Sequence, residues 1–330
     1  MEAIDLGKPE RPCALEAHPI YTDHAILPTR ALEACVNAIK QWIDNLLPGG
    51  IVRARQRHGK TVLIDYLAEN INLVCGRPLP VGSMISWEQK KGTSETRFYT
   101  EILDALGYEL SDPATLSKLR RRTFGYIEQQ AREVGSRQFV LFIDEAQELH
   151  LSFYKHLIKT HNELNKRGVR LIVVLFGQPE LAGIRSHMIK ERKGEIVGRF
   201  MTGVHELTGI VDLADLTRMY ESIDEGSEYP IGTGMSYTRF FVPRAFDNHF
   251  RLADHAERVW HWIAQALHKE GLKVPKQISM QAIMSFTRWL LIELYAIDDS
   301  DLVLTDTLVK ETIDYAARLQ LITDALTEEA

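Results

Sequence analysis

From Pro28-Thr29 onward, apolar residues fall at helical spacing. Leu32, Val36, Ile39 and Ile43 share one face and predict a helix to about Leu46, stopped by Pro48-Gly49-Gly50. "GIVRAR" then reads as a short strand, and "VLIDYLAENINLVC" after it as a helix. A strand near Val81–Trp87 precedes a helix from Ser94 to Leu106 and a basic helix from about Leu116 to Val134. "QFVLFIDEAQEL" and "VRLIVVLFG" are unbroken apolar runs, the signature of strands buried on both faces, with a helix at about 151–166 between them. A short helix after Pro179, a strand near Gly203–Leu207 and a helix at 212–224 continue the alternation. Repeated β-α order at this spacing predicts an α/β fold, a mainly parallel sheet flanked by helices.

The pattern then changes. "EGSEYPIGTGMSYT" (225–238) is rich in Gly, Ser and Tyr and reads as a linker, and beyond it only helical periods occur, roughly at 243–269, 279–297 and 305–321. The expected organisation is an irregular arm over 1–28, an α/β domain over 29–225, a linker over 226–240 and a small helical lid over 241–330 with an acidic tail, "DALTEEA". Trp260, Trp262 and Trp289 read as packing residues of that lid.

Composition narrows the class. The 330 residues are 45% apolar and 25% charged, as in ordinary globular chains. Apolar runs fall short of the ~20 residues that cross a bilayer, and "MEAIDLGKPE" does not read as a signal peptide. Three scattered cysteines, Cys13, Cys35 and Cys75, make neither a disulfide framework nor a zinc site, so the expectation is a cytoplasmic protein without a membrane partner. The net charge is -6, with a net of -5 (9 Lys and Arg, 14 Asp and Glu) in residues 240–330 alone. A nucleic-acid surface would therefore be a local basic patch in the earlier part of the chain.

Candidate chemistry starts at "ARQRHGKT", residues 54–61. A phosphate-binding loop has the form G-x-x-x-x-G-K-[ST], and here Ala54 stands at the first Gly. Gly59, Lys60, Thr61 and Val62 sit at a strand-to-helix turn, where backbone N–H groups and the helix terminus can surround phosphates, Lys60 can neutralise them and Thr61 can hold Mg²⁺. Ala54 costs little unless its backbone must adopt φ > 0, and Arg55, Arg57 and His58 are expected to point away from the phosphates. Phe139–Ile143, five apolar residues, then run into Asp144-Glu145, 84 residues after Lys60. This is the Walker B pattern: Asp144 would hold Mg²⁺ and Glu145 would orient the attacking water, so the cofactors are ATP and Mg²⁺.

Gln178, at the end of the next strand in "VVLFGQPEL", is placed to sense the γ-phosphate. Arg199 in "KERKGEIVGRF" is the candidate arginine finger, with Arg192 second, and Arg288 in "SFTRWLL" is a candidate sensor II residue. Arg122 faces inward or pairs with Glu128.

"HGKT", "FIDEAQEL", "LFGQPEL" and "IVGRF", in this order, resemble the AAA+ ATPases of DNA transposition over about residues 30–320. The texture is most similar to TnsC and its relative TniB, in the compact form found in CRISPR-associated transposons. The resemblance implies a self-assembling ATPase, a ring of hexamer- or heptamer-like size or a helical filament, around double-stranded target DNA. It further implies partners: TniQ with a guide-RNA effector complex on one side, the transposase subunits TnsA and TnsB on the other. Family members place DNA contacts in two loops that correspond here to "QKKGTSE" and "ATLSKLRRRT", making Lys90, Lys91, Thr93, Lys118, Arg120 and Arg121 the candidates. Basic residues beside Thr and Ser donors suit phosphate contacts without base reading.

Two other readings share these motifs. A secretion-associated ATPase resembling ExeA has the "DEAQ" texture but usually adds a membrane segment or wall-binding domain. A replication-initiator-like ATPase usually adds a winged-helix domain, for which about 90 residues of lid leave little room. A simple metabolic kinase is disfavoured because the motifs show no second substrate pocket.

Overall fold

In a computed structural model, which describes residues 11–86, 93–109 and 114–329, the chain forms two compact units. One spans Leu32–Leu207; the other combines the chain up to Ala31 with Thr208 onward. The linker expected at 226–240 is not where this division falls. It falls between Leu207 and Thr208, with the helix at 212–224 on the helical side.

The first unit is built on five parallel strands, β1 (Gly49–Arg53), β2 (Val81–Ile85), β3 (Gln138–Asp144), β4 (Arg170–Gly177) and β5 (Gly203–Glu206), in the order β2-β3-β4-β1-β5. Helices α1 (Arg30–Asp44), α2 (Lys60–Cys75), α3 (Glu95–Ala105), α4 (Leu116–Glu133), α5 (Leu151–Lys166), α6 (Glu180–Lys190) and α7 (Gly194–Phe200) connect and cover them. Every residue of β3 is buried, as its unbroken apolar run requires of a strand covered on both faces. On α1 the buried stripe is Cys35, Ile39, Trp42 and Ile43, rotated from the expected one because Trp42 is the anchor. A Cβ at Gly50 or Gly203 would come within 2.5 or 2.4 Å of its indole, so both glycines leave room for that ring. Registers Arg53↔Gly177 and Ile143↔Leu175 bring the carboxyl ends of β1, β4 and β3 to one edge of the sheet.

The second unit is helical: α8 (Leu213–Asp224), α9 (Tyr237–Phe241), α10 (Pro243–Asp247), α11 (Ala256–Lys269), α12 (Met280–Ala296), α13 (Asp306–Thr312) and α14 (Arg318–Glu329). The expected acidic tail is largely the last turns of α14. Asp224 is a buried junction, accepting from Thr238 Oγ1 at 2.6 Å, Leu252 N–H at 3.0 Å and Ala253 N–H at 2.9 Å. Burial raises its pKa, against the lowering effect of those bonds. The expected N-terminal arm is fastened to this unit. Arg11 donates to the carbonyls of Phe240 and Phe241 and stacks over Tyr295 at 4.0 Å. His18 is fully buried among the rings of Tyr229, Tyr237, Phe240 and Phe241. Trp260 and Trp262 pack against the core as expected, and Trp289 stands edge-on to Tyr315.

Candidate nucleotide site

The loop after β1 turns back over the carboxyl edge of the sheet. Ala54 N–H donates to Gly177 O at 2.9 Å, continuing the β1–β4 ladder by one residue. Two residues of the loop are left-handed, Arg57 (φ 64°) and Gly59 (φ 84°), and Ala54 is not. The departure at the first glycine therefore falls where no positive φ is required. Gly59 caps α2, whose N-terminus, with its free N–H groups and positive dipole end, faces the loop.

Lys60 is buried, its Nζ donating to Ala54 O at 3.4 Å and Arg55 O at 3.3 Å. Those long bonds hold the ammonium inside the loop with a donor position to spare. One residue on, Thr61 Oγ1 donates to Asp144 Oδ2 at 2.7 Å. Asp144 is buried at the end of β3, and its other oxygen accepts from Glu145 N–H at 2.8 Å. A hydroxyl and a carboxylate in contact are the hard oxygen donors that suit Mg²⁺, which takes one or two protein ligands and completes its shell with phosphates and waters. Among the described residues no group of three His, Cys, Asp or Glu could hold a metal by itself. The donor set thus fits a nucleotide-bound ion and not a protein cage.

Glu145 sits in a left-handed turn (φ 51°), which aims its carboxylate back across the edge. Gln147 Nε2 donates to Glu145 Oε2 at 2.5 Å, and Gln178 Nε2 reaches the same oxygen at 3.4 Å. Gln147 Oε1 in turn accepts from Gln178 N–H at 3.0 Å, and Gln56 Nε2 donates to Gln178 Oε1 at 3.3 Å. A Cβ at Gly177 would lie 2.7 Å from Gln147 Oε1, so that glycine admits the side chain. The cavity above, of about 520 Å³, is lined by Gln56, Arg57, Gly59, Lys60, Thr61, Val62, Glu145 and Gln178.

The structure thus brings together Lys60, Thr61, Asp144, Glu145 and Gln178. It adds Gln147 and Gln56, which sequence reasoning passed over; the only signal for Gln147 was its place two residues after the Walker B glutamate. Arg57, expected to point away, is among the residues that line the cavity, and its backbone is left-handed. His58 is buried, its Nδ1 2.8 Å from Gln56 O.

Arg199 is not among the lining residues. Its Nη1 donates to Asn162 Oδ1 at 2.6 Å and lies 3.0 Å from His161 Nδ1, and Nη2 pairs with Glu195 at 3.3 Å. Burial, reinforced by the Arg199 charge, pushes the His161 pKa down, so its ring is a neutral acceptor. A Cβ at Gly49, the first residue of β1, would lie 2.9 Å from Arg199 O. The phosphate loop leaves the other end of that strand, some ~13 Å away. Arg192 is exposed and left-handed at the turn before α7. Arg288, on α12, is half-buried in the helical unit.

Of the basic candidates, Lys90 and Lys91 lie outside the described residues. Thr93 is buried, donating its N–H to Ser152 Oγ at 2.8 Å. Arg120 is engaged with Glu95, while Lys118 and Arg121 are exposed on α4. The Arg122–Glu128 alternative does not form: Glu128 accepts from Arg132 and Arg167, and Arg122 keeps a buried Nη1 without a partner among the described residues.

A β1–loop–α2 phosphate cradle, an acidic β3 terminus and a polar β4 terminus on a β2-β3-β4-β1-β5 sheet, with a helical C-terminal region, define the AAA+ P-loop fold. A family model described as "AAA domain" matches residues 50–184. No curated protein matches the chain by sequence. Among solved structures, the Aeropyrum pernix ORC2 protein in ADPNP–ADP complexes is similar at 14% identity over 90% of this chain and 71% of that one, with a TM-score of 0.58. Its ADP form gives 13% identity over 91% and 73%, with a TM-score of 0.56. Domain III of the Thermotoga maritima replication initiation protein DnaA is 16% identical over 93% and 97%, at a TM-score of 0.44. For the two ORC2 forms, at such identities, the likeness is one of fold.

Proposed function

We propose that this chain is a Mg²⁺-dependent ATPase that assembles with copies of itself on duplex DNA and regulates transposition. The observation that carries the ATPase reading is the Thr61–Asp144 hydrogen bond beside a buried Lys60, with Glu145 held at the same cavity. Loop N–H groups and Lys60 bind the β- and γ-phosphates; Thr61 and Asp144 would hold Mg²⁺, which when bound neutralises phosphate charge. Glu145 orients a water and takes its proton as the oxygen bonds to the γ-phosphorus. The bond from that phosphorus to the β,γ-bridging oxygen breaks, and ADP and inorganic phosphate leave. Gln147 and Gln178 fix the Glu145 carboxylate against β4, so it meets the water in one orientation.

Arg199 cannot serve its own cradle from the opposite end of β1, which supports its use by a neighbouring copy, where it would offset transition-state charge. ATP bound between copies then closes an oligomer around DNA, and hydrolysis loosens it. The transposition role, with TnsA, TnsB and TniQ as partners, rests on the "FIDEAQEL", "LFGQPEL" and "IVGRF" motifs. A replication-initiator-like reading is favoured by the fold likeness to ORC2.

Electron microscopy of the protein with duplex DNA, with and without ATP-Mg²⁺, tests the proposal. Nucleotide-dependent rings or filaments on DNA of any sequence are expected. Binding confined to particular sequences would favour the initiator reading, and nucleotide binding without assembly on DNA would overturn both.

A further inference from the structure

Helix α5 begins six residues after the Walker B glutamate and carries Ser152, Lys155, His156 and Lys159 at positions i, i+3, i+4 and i+7, which is one face. That face is seated on the start of α3. Ser152 Oγ accepts from Thr93 N–H at 2.8 Å, His156 Nε2 donates to Thr93 O at 3.0 Å, and Lys159 Nζ reaches Glu95 Oε2 at 3.3 Å. From the other side, Arg120 Nε of α4 donates to Glu95 Oε1 at 3.0 Å. One carboxylate, 16% exposed, is thus shared by two cations that stay 41% and 58% exposed, which leaves an excess of positive charge at the seam.

Lys155, one turn before Lys159, extends it on α5. It is exposed and, among the described residues, in no ion pair. Residues 32–207 hold 25 Lys and Arg against 20 Asp and Glu, a net of +5, whereas the rest of the chain holds 14 against 25, a net of -11. The cations of this seam therefore sit on the unit of positive net charge.

We propose that Lys155 and Lys159 of α5, with Arg120 of α4, form one cationic strip that binds the phosphate backbone of duplex DNA. This rests on the DNA-binding reading above and extends it to a helix that no motif marked. The strip has charge and no base-reading geometry, so its contribution is independent of sequence and sensitive to salt. Ser152 and His156 are positioning residues, holding the α3 end of the seam to α5.

The test is the affinity of the full chain, with ATP-Mg²⁺, for a random-sequence duplex at a series of salt concentrations. Comparison is with K155A/K159A and with K40A/R77A, which removes two cations of the same unit that pair with Asp44, away from α5. Loss of two phosphate contacts is expected to weaken binding about tenfold or more near 0.1 M salt and to flatten the log–log salt slope by ~1.8. K40A/R77A is expected to leave both unchanged, and all three proteins to hydrolyse ATP equally without DNA. If K155A/K159A matches the parent in affinity and slope while the parent binds duplex, the strip is wrong and the DNA reading stands. A parent that does not bind duplex overturns the DNA reading and the strip with it. A parent that prefers duplex RNA, through the same lysines, overturns the assignment to DNA.

Discussion

Thr61 Oγ1 and Asp144 Oδ2 lie 2.7 Å apart, joining the first turn of α2 to the end of β3. Since β4 separates β1 from β3 in the sheet, this bond, and not strand pairing, completes the corner proposed to hold Mg²⁺. Removing either oxygen should weaken ATP binding in Mg²⁺ and leave binding without Mg²⁺ nearly unchanged. Lys60→Ala should weaken both, by about 2–3 kcal/mol, or some 30- to 150-fold in Kd. Titration of a fluorescent ATP analogue with and without Mg²⁺ checks the difference; equal losses for Thr61→Ala in both conditions would count against the corner.

Glu145→Gln should lower kcat by roughly 10²–10⁴ while leaving the Kd for ATP near that of the parent. Gln147→Ala removes the 2.5 Å contact to the same carboxylate without touching the phosphate cradle, so it should lower kcat about tenfold with little change in KM. A rise in KM with kcat intact would mean that Gln147 serves binding instead.

Ala54 is the position at which the phosphate loop departs from pattern, and its backbone is not left-handed. Restoring glycine therefore relieves no strain. Ala54→Gly is expected to change ATP turnover less than threefold and to destabilise the unit by about 0.4–1 kcal/mol through the freer unfolded chain. A tenfold gain in kcat would show that the alanine restrains hydrolysis.

Much of this site was legible because it depends on local order. A five-residue apolar run must be a buried strand, the acids that end it must lie at the sheet edge, and a Gly-Lys-Thr after a strand must open a helix. The helix at about 151–166 was readable for the same reason, from its place between two apolar strands. What escaped depends on residues far apart in sequence. Gln147 touches Gln178 across 31 positions, and Arg11 touches Phe240 across 229. Helix α7 was missed because seven residues with two glycines carry no period. Thr93 looked like a surface donor among basic residues, yet α5 buries it.

His18 gives a pH prediction. Burial pushes its pKa down to about 4 from the ordinary 6.5, and its Nδ1 accepts from Ile20 N–H at 3.2 Å. The neutral ring is the folded form, so the unfolded chain binds the extra proton. Its contribution to stability is full above pH 6.5 and is lost as pH falls from 6.5 towards 4, by at most roughly 3 kcal/mol. Thermal melts followed at pH 7.5 and 5 should show a larger drop in Tm for the parent than for His18→Phe. Equal drops would place the acid sensitivity elsewhere.

Arg199 offers the sharpest test of assembly. It is held by Asn162, His161 and Glu195 at the end of β1 opposite the phosphate loop, so a finger role requires another copy. Arg199→Ala alone should lower DNA-stimulated kcat on the order of 10³-fold and leave ATP binding to the single chain intact. Lys60→Ala, lacking the phosphate contact, should be inactive too. The two variants fail on different sides of a shared site: one keeps its cradle, the other its finger. Mixed together they form interfaces in which an intact cradle meets an intact arginine, and ATPase activity should return to a measurable fraction of the parent's. A residue acting within its own chain, or serving only to hold α7 against α5, gives two dead proteins whose mixture stays dead.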